Sequence, residues 1–291
     1  MPKMKLVVDS SCDLPSAFYK QHNIGVADLL INFGEETYVD RKEITSQQIL
    51  DKVEKTKVFP KTAALNMANL NEIFTKQLAG YDHIFFMPIS SSISSIYNNA
   101  CVCANDFDGK VTVLDSHSLS SGIGLLSLGI LKDIEDGRTV EEIVQNHESR
   151  LNRINMSFTI ETMDYLYKGG RCGGLTFLLG NKFHLHPIVR LENGKMGVHK
   201  IVRGKDIGKG LEVMCQEFQD NLAKGNIDLD YPVFIPNVVS PHGVREIRRT
   251  LERLVGNKIL MPIDASGIIC CHCGANTCGL AYMMKEPLGK K

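Results

Sequence analysis

Lys5-Leu6-Val7-Val8-Asp9-Ser10-Ser11-Cys12-Asp13-Leu14-Pro15 begins as an apolar run and stops abruptly in acids, hydroxyls and a proline. Lys5 to Val8 reads as a strand, Asp9 and Ser10 as its end, and Pro15 ahead of Phe18 and Tyr19 as the start of a helix. The same punctuation returns at His83 to Ile89, which meets a serine cluster and then the apolar stretch Ile96 to Ala104. It returns again at Lys110 to Leu114, followed by Asp115-Ser116 and a helical pattern from about Gly122 to Asp136. Short apolar runs alternating with helical segments predict βαβ units, an α/β fold with a parallel sheet flanked by helices. Ligands of such sheets collect at the carboxyl ends of the strands. That rule puts Asp9, Ser10, the serines of 90–95 and Asp115 on one rim.

Val140, Ile143, Val144, His147 and Leu151 have helical spacing and close this first half. The texture changes near 152 to 156. Short strands are expected at Met156 to Ile160, Leu185 to Leu191 and Lys195 to Val202, around the Gly-rich Lys168-Gly169-Gly170-Arg171-Cys172-Gly173-Gly174. Helices follow at about Ile207 to Leu222 and Gly243 to Val255, and strands at Pro232 to Val238, Ile259 to Ile263 and Ile268 to Cys271, before a final Gly279 to Met284 stretch. The chain has 291 residues, room for two domains. The division expected is an N-terminal α/β domain, 1–154, and a C-terminal α+β domain, 155–291, with a mixed or antiparallel sheet and a ligand between the two. No internal repeat or low-complexity segment is visible.

Lys plus Arg and Asp plus Glu both number 33, so no net field draws the chain to nucleic acid. The 43% hydrophobic and 23% charged shares are those of a folded globular protein. No apolar run approaches the roughly 20 residues that a membrane helix needs. The opening turns polar after three apolar residues, unlike a signal peptide, and the expected location is the cytoplasm. Nine cysteines, an odd number, fit reduced thiols better than a disulfide framework.

Three constellations could carry chemistry. Ser90-Ser91-Ser92-Ile93-Ser94-Ser95 sits between a strand and a helix, where hydroxyls and unpaired helix N–H groups favour a carboxylate or phosphate; the plainer alternative is helix capping. His272 lies in Cys270-Cys271-His272-Cys273-Gly274, at the expected end of a strand. Zinc would need a second pair of ligands, and no Cys pair elsewhere with two to four intervening residues, and no His-x₃-His element, exists to supply it. Arg171, between two glycine pairs, can bring its guanidinium close to an anion. A Ser/His hydrolase with Asp9 or Asp115 as the orienting acid is the competing class, although no Gly-x-Ser-x-Gly elbow is present. Walker A and dinucleotide fingerprints are absent as well.

In order and spacing, these segments resemble the DegV family of bacterial fatty-acid-binding proteins, the lipid-carrying subunit of fatty acid kinase. The resemblance runs from Val8-Asp9-Ser10-Ser11-Cys12-Asp13-Leu14-Pro15 through Lys61-Thr62, Ser90 to Ala100 and Leu114-Asp115-Ser116. It continues through Glu161-Thr162-Met163-Asp164-Tyr165-Leu166, Gly169-Gly170-Arg171, His186-Pro187-Ile188, Arg203-Gly204 and His272-Cys273-Gly274 with Gly279. It implies two domains enclosing an acyl chain, no catalysis by this chain, no cofactor or metal, and phosphoryl transfer by a separate kinase serving phospholipid synthesis, with transient membrane contact allowed. It also implies that Thr62, Ser94 and His272 hold the carboxylate, that Ser91 and Arg171 contribute nearby, and that Arg203 acts in hand-off to the kinase. The chain departs from the family pattern where Ser95-Ile96 replaces Gly-Thr, where Cys271 and Cys273 replace threonines, and where Ala63 follows Thr62 in place of serine.

Overall fold

The computed structural model describes residues 2–171 and 184–288. Cys172, Gly173 and Gly174 of the Gly-rich segment lie outside the described residues. In chain order the first half comprises β1 (Met4–Asp9), α1 (Ser16–Gln21), β2 (Gly25–Ala27), β3 (Leu30–Phe33), β4 (Glu36–Val39), α2 (Ser46–Thr56), β5 (Lys61–Ala63) and α3 (Met67–Leu78). It continues with β6 (His83–Met87), α4 (Ile96–Ala104), β7 (Val111–Val113), α5 (Ser121–Glu135) and α6 (Val140–Leu151). β2, β1, β6 and β7 form a parallel sheet in that order. Every residue of β6 is buried, which explains its unbroken apolar run where a half-exposed strand would alternate. Thr45 with Gln48, and Thr139 with Glu142, form capping boxes that fix where α2 and α6 begin.

A small antiparallel sheet, β4-β3-β5, was not foreseen in the sequence pattern. Its strands have only three or four residues, too short for a period to register. It matters because β5 carries Thr62.

The second half comprises β8 (Ile154–Thr159), α7 (Asp164–Lys168), β9 (Leu185–Glu192), β10 (Lys195–Arg203), α8 (Gly208–Ala223), β11 (Val233–Val238), α9 (Pro241–Val255), β12 (Leu260–Asp264), α10 (Gly267–Cys273) and β13 (Thr277–Met283). Its sheet runs β10-β9-β8-β13-β11-β12, antiparallel except for the β11–β12 pair, as the mixed-sheet expectation requires. One expected strand is a helix: Ile268 to Cys271 lies within α10. Four apolar residues fit a buried strand and a buried helix equally well. The decision is made by Ser266, whose side chain accepts from Ile269 N and caps the first turn.

α5 packs against β1 of the parallel sheet and against β8, β11 and β13 of the mixed sheet. Eleven of its residues are buried, so it is enclosed along most of its length, with Lys132 and Glu135 exposed near its end. Its glycines permit this, since a Cβ on Gly124 would stand 2.9 Å from Asp13 O. The main apolar core runs continuously from β1 to β13, and a second core lies beneath α8 and α9.

Candidate functional site

β5 pairs with β3 so that Thr62 stands opposite Ile31, and from there its hydroxyl reaches the last turn of α10. Thr62 Oγ1 and His272 Nε2 are 2.9 Å apart. The other ring nitrogen, Nδ1, is buried and has no hydrogen-bond partner among the described residues. It abuts the backbone of Gly169, where a Cβ would stand 2.2 Å from it. Gly169 is therefore required by the imidazole that occupies its side-chain space. Arg171 Nη1 donates to Gly169 O at 2.9 Å, which folds the guanidinium back over the same loop. Burial lowers the His272 pKa to about 4, and the Arg171 charge acts in the same direction. The ring is neutral at pH 7, with one nitrogen donating and one accepting.

Thr62, Ser94, Arg171 and His272 line a single cavity whose other walls are nearly all aliphatic, Ile93, Leu119, Leu166 and Met196 among them. Its free volume is about 50 Å³. A second apolar space of about 20 Å³, faced by Met156, Phe158 and Val238, shares Leu119, Ile269 and Cys273 with it. A larger cleft, about 920 Å³, lies elsewhere, over Arg190, His199 and Glu217, and none of the candidate residues lines it.

The remaining candidates are placed differently. Ser91 is not among the residues lining the cavity; its N–H donates to Asp115 Oδ1 at 3.1 Å. Many donors of the serine loop are used within the protein: Ile93 N and Ser94 N donate to Ser90 O, and Ser92 N to Ser90 Oγ. The Ser90 hydroxyl donates to Gly194 O at 2.9 Å and so ties the loop to the β9–β10 hairpin. Asp9, on the expected rim, accepts from Ile89 N at 2.8 Å and from Ser11 N at 3.0 Å, bracing two loops. Its pKa is raised to about 6 by burial, against those hydrogen bonds. Arg203 ends the edge strand β10, exposed, and among the described residues its side chain has no polar partner.

Among the described residues no carboxylate or serine bonds the His272 ring, so they assemble no Ser–His–acid relay around it. Among the described residues no group of three or more His, Cys, Asp and Glu could hold a metal ion. Burial raises Cys270 and Cys273 to about 12, so both are protonated thiols at neutral pH.

Three features escaped the sequence reading. Gly169 was legible only as a turn residue. Asp13 and Asp40 both touch the start of α10: Ser266 N donates to Asp13 Oδ1 at 3.0 Å and Gly267 N to Asp40 Oδ1 at 2.9 Å. These contacts span 253 and 227 residues, and nothing local announces them.

Comparison with known proteins gives a consistent result. A family model described as the DegV family matches residues 3–285. A DegV domain-containing protein of Clostridium perfringens is 27% identical over 284 residues, covering 97% of this chain and 99% of the relative. A fatty acid-binding protein of Thermotoga maritima is 25% identical over 292 residues, covering 98% and 99%. Among solved structures, a fatty-acid-binding DegV family protein of Thermus thermophilus superposes with a TM-score of 0.88 at 26% identity, covering 97% of this chain and 99% of that one.

Proposed function

The chain belongs to the DegV family, and from that premise we propose that it binds one long-chain fatty acid, with the carboxylate at Thr62, Ser94 and His272 and the acyl chain in the apolar space behind them. The observation that carries this reading is the Thr62–His272 hydrogen bond, set in the wall of an otherwise aliphatic cavity. In the tautomer protonated at Nε2, the imidazole donates to Thr62 Oγ1, which leaves the hydroxyl's own proton for a carboxylate oxygen. Ser94 brings a second hydroxyl. Arg171 brings the opposite charge, without which a shielded carboxylate would be penalised by several kcal/mol.

The two ends of the ligand do different work. Burial of about fifteen methylenes at ~0.8 kcal/mol each contributes on the order of 12 kcal/mol before ordering costs, while a hydrogen bond to a charged group adds roughly 1.5–3. The acyl chain supplies affinity and the polar groups supply orientation. The free volumes of about 50 and 20 Å³ are small beside the roughly 300–1,000 Å³ of ligand pockets, so admission of a chain requires Leu119, Ile269 and Cys273 to move apart. Both expected units, 1–154 and 155–291, contribute to the lining: Thr62, Ser94 and Leu119 come from the first, Met196, Ile269 and His272 from the second.

In this reading the protein is a carrier and not an enzyme. It presents the carboxylate to a separate kinase that forms the acyl phosphate, and exposed Arg203 acts in that hand-off. A planar guanidinium on a solvent-facing edge suits phosphate oxygens and has no ligand-holding contact to lose. Titration with oleate, followed by oleyl alcohol, tests the head-group assignment. Oleate should bind at least 10-fold more tightly than the alcohol, and the preference should shrink in Thr62→Val. Equal affinities for acid and alcohol would overturn the carboxylate site.

A further inference from the structure

α10 is short, and its two ends are held by different parts of the chain. At its far end His272 meets Thr62. At its near end three loops of the first half converge. Asp13, in the loop after β1, accepts from Ser266 N at 3.0 Å through Oδ1, and its Oδ2 accepts from the Ser120 hydroxyl. Asp40, in the turn after β4, accepts from Gly267 N at 2.9 Å through Oδ1 and from Ser10 Oγ at 2.7 Å through Oδ2. Arg41 pairs with Asp13 and donates from Nε to Ser10 O at 3.1 Å. Asp13 and Asp40 are both fully buried. Their approach is close enough that a Cβ on Gly267 would stand 2.7 Å from Asp40 Oδ1.

From this geometry we infer that Asp13 and Asp40 are positioning residues for the fatty-acid head-group site, acting through the N-terminus of α10 to fix where the His272 imidazole stands; the inference rests on the proposed ligand. Six residues separate Ser266 from His272, about 9 Å of helix at 1.5 Å per residue. Over that length an internally bonded helix moves as a rod. A carboxylate on the first N–H groups also complements the partial positive charge there, so the clamp has a preferred seat and not merely a contact. The clamp is built from residues 10, 13, 40 and 120, whereas the helix it grips precedes β13 of the other sheet. Loosening it lets α10 shift along or about its axis, and a displacement of under 1 Å is enough to spoil a 2.9 Å hydrogen bond to Thr62. The apolar walls would be left largely in place.

The test compares Asp40→Ala with Asp40→Asn, whose amide oxygen still accepts from Gly267 N. Asp40→Ala should lose roughly 10-fold in oleate affinity and less than 2-fold in oleyl alcohol affinity, while Asp40→Asn stays near the parent for both. In a His272→Ala background, Asp40→Ala should cost nothing further, because the residue acts through that ring. An equal loss for acid and alcohol, or full additivity with His272→Ala, overturns the inference. Ser10→Ala, which removes the hydroxyl on the far oxygen of Asp40 and with it the acceptor of Leu29 N, should show the same pattern at smaller size if Asp40→Ala does not fold. The ¹⁵N signals of the His272 ring, recorded without lipid, give an independent readout. They should change in Asp40→Ala and be restored in Asp40→Asn; unchanged signals refute the clamp. Should the parent fail to bind oleate, the carrier reading falls while these signals still judge the clamp.

Discussion

Two adjacent glycines make opposite predictions. Gly169 has a φ that any residue can adopt, and in the unfolded chain an alanine there restricts fewer states, which by itself stabilises by about 0.4–1 kcal/mol. Its Cβ, however, would stand 2.2 Å from His272 Nδ1, 2.8 Å from Cε1 and 3.0 Å from Tyr165 O. The ring has to leave its position, since the carbonyl behind cannot. Overpacking of this kind costs roughly 1–3 kcal/mol, so set against that gain fold stability should fall by no more than about 2.6 kcal/mol. A displaced imidazole no longer bonds Thr62, and loss of one charge-assisted contact, roughly 1.5–3 kcal/mol, lowers oleate affinity about 10- to 150-fold. Gly170 has φ +70 with nothing within 4 Å of its Cβ position. Gly170→Ala should therefore cost about 1 kcal/mol of stability through backbone strain and leave affinity unchanged. The assays are oleate displacement of a fluorescent fatty acid and urea denaturation. Parent-like affinity in Gly169→Ala, or a greater affinity loss in Gly170→Ala, would refute the assigned position of His272.

Further outcomes follow from the same geometry. Thr62→Val and Ser94→Ala should each weaken oleate binding by about 5- to 150-fold, the equivalent of roughly 1–3 kcal/mol. Ser94→Ala should change stability by less than about 0.5 kcal/mol in denaturant titration, because the one hydrogen bond of its side chain among the described residues, from Ile96 N at 3.4 Å, is long and Ser95 is the N-cap. Burial raises Asp40 to about 6, against the Ser10 and Gly267 hydrogen bonds and the Arg41 charge. A carboxyl whose folded pKa exceeds its unfolded value of about 3.9 contributes stability at low pH and loses it as pH rises through the folded value. The stability of Asp40→Asn relative to the parent should thus rise by about 2 kcal/mol between pH 4.5 and 7.5, and a flat difference in urea titrations would contradict that cause. Arg203→Ala should bind oleate normally and reduce kinase-dependent acyl phosphate; full activity in both assays returns Arg203 to ordinary surface charge.

The sequence was most legible where burial is complete. β1 and β6 are interior strands of a parallel sheet, so their apolar runs are continuous and the polar residues after them mark the strand ends plainly. It was least legible where elements are short. Ile268 to Cys271 could be read as strand or helix, and the bracketing signals, Ser266 before and Gly274 at φ +73 after, carried the answer. Of the site, the serine run with Ser94, Arg171 and His272 stand out as candidates in the residues themselves, and Thr62 only through family resemblance. No local pattern brings a threonine on a three-residue strand to a histidine 210 residues away. Asp13 was visible within a motif and Asp40 in none, because their work is to receive two N–H groups from the far end of the chain.

What the purified protein carries tests the proposed lipid binding most directly. Native mass spectrometry of protein prepared without added lipid, followed by organic extraction and identification of the released species, reads the occupant without any assumption about the site. The prediction is a population heavier by the mass of one long-chain fatty acid, with the same acid recovered in the extract. Protein that is folded, repeatedly free of acyl chains and unable to take up added oleate would contradict the central claim.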